Sequence, residues 1–62
     1  MQAYKVMARN LTTHVRVQRQ DLSRHITDQS EAWRLAQAFA AQMQQRGTDQ
    51  WSAEVSTYTV SQ

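Results

Sequence analysis

Few side chains in this chain of 62 residues could do chemistry, and their spacing assembles no reactive site. The carboxylates are Asp21, Asp28, Glu31, Asp49 and Glu54, and the histidines are His14 and His25. Cysteine is absent, which excludes thiol nucleophiles, disulfides and thiolate metal sites. Two histidines alone are too few to close a structural zinc site. On neighbouring strands they could form a paired metal or pH-sensing site, but plain surface positions are the simpler reading. No Ser-His-Asp or Cys-His constellation follows from the spacing, and one glycine, Gly47, cannot make a glycine-rich phosphate loop. Proline is absent too, so an N-terminal proline base is excluded. The expectation is a protein that is not an enzyme and takes no metal and no cofactor.

Charge is the chemistry that remains. Residues 1–27 carry Lys5, Arg9, Arg16, Arg19 and Arg24 against Asp21 alone, a balance of +4. Residues 28–62 carry Arg34 and Arg46 against Asp28, Glu31, Asp49 and Glu54, a balance of −2. Halves of opposite sign point to one face that attracts anions. Lys and Arg suit phosphate contacts, and Arg and Gln also suit base edges in the major groove.

The basic half alternates in the manner of strands. Between Tyr4 and Arg9, Tyr4, Val6 and Ala8 oppose Lys5, Met7 and Arg9. Between Thr12 and Arg19, Val15 and Val17 oppose His14, Arg16 and Gln18. Such period-2 patterns predict half-buried antiparallel strands, here a hairpin turning at Asn10 and Leu11. With the valines turned inward, Lys5, Arg9, His14, Arg16 and Gln18 share the open face. An open sheet face must be polar in any case, so the plain reading is a solvated surface. A third, short strand is expected over Leu22 to Ile26.

Asp28 to Gly47 reads as one amphipathic helix. Asp28 with Glu31 fits a capping box, and Gly47 fits the left-handed position that ends a helix. Ala32, Leu35, Ala36, Phe39 and Met43 recur at helical spacing and define the buried stripe, which Trp33 and Ala40 widen. Trp51 to Val60 reads as a long strand, with Trp51, Ala53 and Val55 opposed to Ser52, Glu54, Ser56 and Tyr58. Its far half, Thr57 to Val60, is expected to overhang the sheet and need a partner. Trp33, Phe39 and Trp51 are most simply core. A base-stacking platform would need aromatics on the outer face, where only Tyr58 and Tyr4 could serve.

Together these elements predict an α+β fold: a small antiparallel sheet of three or four strands with one helix on one face, in the order β-β-(β)-α-β. Residues 1–62 make one small domain, and a chain of this size is marginal alone. A homodimer through the last strand is therefore expected. No apolar run spans a bilayer, and the N-terminus lacks the apolar stretch of a signal peptide. The expected location is cytoplasmic, with no membrane partner.

The basic strands followed by ITDQSEAWRLAQAFAAQMQQRG resemble small strand-strand-strand-helix DNA-binding modules. The arm-binding domains of phage-type tyrosine integrases and the cell-division activator CedA are of this kind. The resemblance is one of pattern over residues 4–47, and it implies double-stranded DNA as the partner. Two function classes follow. One is a DNA-binding accessory or regulatory protein that uses Lys5, Arg9, Arg16, Arg19 and Arg24. The other is a protein-interaction module or inhibitor that pairs through its C-terminal edge strand or helix surface.

Overall fold

A computed structural model describes residues 1–20, 22 and 24–61. The alternating N-terminal stretch forms β1 (Gln2–Asn10), followed by β2 (Arg16–Gln18), α1 (Gln29–Gln45) and β3 (Trp51–Thr59). The strands make one antiparallel sheet in the order β2-β1-β3. The α1 helix packs equally on β1 and β3. The architecture is the expected α+β fold, with three strands and the order β-β-α-β.

β1 takes the centre because its even-numbered side chains suit burial under a helix: Val6 and Ala8 are fully buried. It pairs with β3 over the whole strand, from Gln2 opposite Thr59 to Asn10 opposite Trp51, with no bulge. The far half of β3 therefore does not overhang, since Thr57 lies opposite Tyr4. The side of β3 away from β1 is an edge of the sheet along its full length.

The first hairpin is shorter in its second strand than the alternation suggested. Asn10 accounts for this. Its backbone N–H donates to the Val15 carbonyl at 2.8 Å, and its carbonyl accepts from His14 at 2.8 Å. Its Oδ1 accepts from the amides of Thr12 and Thr13 at 2.8 and 3.0 Å. A side chain that captures nearby amides competes with the sheet ladder, so Thr12 to Val15 turns instead of extending. His14 ends the loop in the left-handed region, with φ 64°. The buried Asn10 is secured from the other side by Nδ2, which donates to Asp49 Oδ2 at 3.0 Å.

Among the described residues of the expected third strand, only Ile26 joins the sheet. Tyr4 donates its amide to the Ile26 carbonyl at 2.8 Å, an isolated antiparallel bridge, and Ile26 is buried. Ser23, part of that expected strand, lies outside the described residues.

Asp28 caps the helix by accepting from the Ser30 amide at 3.2 Å. The capping box is not closed as expected, because the Glu31 carboxylate meets the Arg24 guanidinium. At the other end Arg46 keeps a right-handed conformation and donates its amide to the Met43 carbonyl at 3.2 Å. Gly47 does not adopt a positive φ. A tightened last turn uses a terminal carbonyl without a left-handed residue.

The core is built on alanine. Ala32, Ala36 and Ala40 lie one turn apart on the helix row that meets the sheet, and all are buried. Leu35, Phe39 and Met43 are half-buried flanks. Trp33 follows Ala32 by about 100° around the helix and is exposed, at 40% of its surface. This corrects its expected place in the core: Trp33 lines a shallow groove with Ala40, Ala41, Trp51 and Ala53 at the β3 edge. Among the described residues, no helix is long and apolar enough to cross a membrane.

Candidate nucleic-acid interface

Register decides what shares the sheet face opposite the helix. Arg9 lies opposite Arg16 on one side and Ser52 on the other; Met7 lies between Gln18 and Glu54; Lys5 lies opposite Ser56. Ala3 lies opposite Tyr58. Directly opposed side chains point to the same face, so Lys5, Arg9, Arg16 and Gln18 share it with Glu54, Ser56 and Tyr58.

Like charges set directly opposite each other, as Arg9 and Arg16 are, destabilise a sheet pair. Glu54 offsets this from β3. Its carboxylate lies 3.0 Å from Arg16 Nε and 3.6 Å from Arg9 Nε. The longer distance is an ion pair and not a hydrogen bond, and the buried Arg9 Nε has no hydrogen-bond partner. The arginines keep their outward access: the Arg16 side chain is 58% exposed.

The face continues into a cleft of about 400 Å³ beside β1, where the chain leaves β2 and returns at Ile26. Lys5, Leu22, Arg24, His25 and Tyr58 line it. The Lys5 ammonium lies 5.9 Å from the centre of the Tyr58 ring, a cation–π approach. The Tyr58 hydroxyl and His25 Nδ1 are 2.8 Å apart, with their rings tilted at 57°.

Lys5, Arg9, Arg16 and Gln18 thus lie together on the open face. Three expected members do not join them in the same way. His14 sits in the hairpin turn, which also removes it from the strand position a paired histidine site with His25 would need. Arg19 donates its amide to the Val6 carbonyl at 2.8 Å, which places it at a register position on the helix side, beside Phe39 and Met43. Arg24 lines the cleft while paired to Glu31.

Glu54 on the face, and His25 and Tyr58 at its cleft, were not among the basic residues expected to bind DNA. The alternation in WSAEVSTY puts Glu54 and Tyr58 on one side of their strand, but only the register with β1 brings them to Arg9, Arg16 and Lys5. Among the described residues, no group of three or more His, Asp or Glu side chains could hold a metal ion. Comparison with known proteins finds no matching family model, no matching curated protein and no matching solved structure.

Proposed function

We propose that this is a small, non-enzymatic DNA-binding accessory or regulatory protein that meets the duplex with the sheet face opposite its helix. The observation that carries the reading is that Lys5, Arg9 and Arg16 share that face, where one carboxylate, Glu54, pairs with the two arginines. The guanidiniums would contact phosphates, with Gln18, next to Arg16 on the same face of β2, able to reach a base edge. A β-sheet surface is an established way to enter a groove. Arg24 at the cleft would extend the positive field along the backbone, whereas Arg19 lies on the helix side and is outside this face.

The test is fluorescence anisotropy with duplex DNA across a salt series. Each phosphate contact contributes about 0.9 to the slope of log K against log salt. Replacing Lys5→Gln and Arg16→Gln together should lower that slope by about 1.8 and weaken binding at low salt. An unchanged slope and affinity in a folded double variant would overturn the assignment. A second reading, a module that pairs with another protein, has the open outer edge of β3 in its favour.

A further inference from the structure

The two edges of the sheet are treated differently. β2 is short, carries Arg16 and gives way to a loop, all of which discourage pairing with another chain. β3 is a nine-residue strand with no proline, glycine or bulge. Its one charged side chain, Glu54, is occupied by Arg9 and Arg16. A long edge strand without proline, bulge or free charge is a template for another strand.

The direction of its backbone groups follows from two hydrogen bonds. Val60 donates to the Met1 carbonyl, and the Gln50 carbonyl accepts from Leu11. Even-numbered residues of β3 therefore turn their backbone toward β1, and Trp51, Ala53, Val55, Thr57 and Thr59 turn theirs outward. We infer that this edge pairs with the same edge of a second copy, antiparallel, about a two-fold axis through Val55.

The register is selected by the strand itself. Centred on Val55, it sets Trp51 opposite Thr59 of the second copy and Ala53 opposite its Thr57, and every outward N–H and C=O of β3 finds a partner. Centred on Glu54, it would set two carboxylates directly opposite each other, which is destabilising. Centred on Ala53, it would leave Thr57 and Thr59 unpaired.

The helices agree with this arrangement. A two-fold axis normal to the sheet puts both helices on one face. Each helix packs equally on β1 and β3 and so lies over the line between them. With strands about 4.8 Å apart, the two helices come to lie about 10 Å apart, within the distance at which helices pack. The groove lined by Trp33, Ala41 and Trp51 lies at that junction and would be covered. Among the described residues Val6 is the only large side chain that is fully buried, and such a core has reason to recruit cover. The dimer holds whether or not the opposite face binds DNA.

The chain has no cysteine, so Val55→Cys introduces a single thiol. In the inferred register the two Val55 Cα atoms lie about 5.5 Å apart, and the two Thr59 Cα atoms roughly 27 Å apart at about 3.4 Å per residue. A short bifunctional thiol reagent should therefore link Val55→Cys chains and leave Thr59→Cys chains unlinked. Sedimentation equilibrium of the unmodified protein should give twice the 7.2 kDa chain mass. Thr57→Pro removes an outward N–H and leaves the β1 ladder intact, and should give a folded monomer. Amide exchange supplies the check that needs no variant: Ala53, Val55 and Thr57 should be protected in the dimer and lose protection on dilution. A monomeric mass with those amides unprotected would overturn the proposal, as would a dimer in which Thr59→Cys links as readily as Val55→Cys.

Discussion

Replacing Glu54→Gln separates a DNA-binding face from a merely solvated one. The carboxylate lies against Arg9 and Arg16, and a phosphate docked on either guanidinium would sit about 6–8 Å from it. Two unit charges at that separation repel by roughly 0.6 kcal/mol in water. One phosphate on each arginine makes about 1 kcal/mol, or close to fivefold in affinity. The variant should therefore bind duplex DNA about fivefold more tightly at low salt. The gain should shrink as the screening length falls toward ~8 Å at physiological ionic strength. The fold should survive, because the ion pairs are only partly buried and such pairs contribute about 1 kcal/mol, although Arg9 and Arg16 then repel each other uncompensated. Anisotropy at low and physiological salt, with a thermal melt in parallel, measures both effects. Unchanged or weaker binding by a folded variant would refute the reasoning, since a competitor for phosphate cannot be removed without effect.

Two further predictions concern the scaffold. Asn10→Ala removes the acceptor for two turn amides and the donor to Asp49, hydrogen bonds each contributing ~1 kcal/mol. It should cost about 2–3 kcal/mol and lower Tm by roughly 10–20 °C; a change under a few degrees by calorimetry would contradict the role given to Asn10. Asp28→Ala removes the helix cap and should cost about 1 kcal/mol, read as a lower urea midpoint at unchanged slope. No loss would show that the cap does not hold the helix start.

The parts of the fold readable in the sequence are those with long, clean periodicity. Val6 and Ala8 against Lys5 and Arg9 announced β1 and both its faces, and Asp28 announced the helix start. The misreadings have local physical causes. Val15 continues the alternation of Val17, but Asn10 captures the amides of Thr12 and Thr13 and bends the chain. Trp33 fits the apolar stripe by spacing, yet an alanine row brings the helix onto β1 and β3 and leaves the indole at the rim. Gly47 sits where a left-handed residue is usual, but Arg46 closes the helix with a tighter turn. The candidate site was half legible. Lys5, Arg9 and Arg16 were placed together by alternation within their own strands. The pairing of Glu54 with two of them, and of Tyr58 with His25 and Lys5, depends on which residues lie opposite across strands far apart in sequence. Alternation within a strand does not encode that register.

On the proposed function the sheet face, and not the helix, meets DNA. Amide NMR of the isotopically labelled protein, titrated with a short duplex, reads this out residue by residue. Shifts concentrated at Lys5, Arg9, Arg16, Gln18 and Glu54, with Gln37, Ala41 and Gln44 on the helix unmoved, are the predicted result. Shifts centred on the helix, or none at low salt, would contradict it.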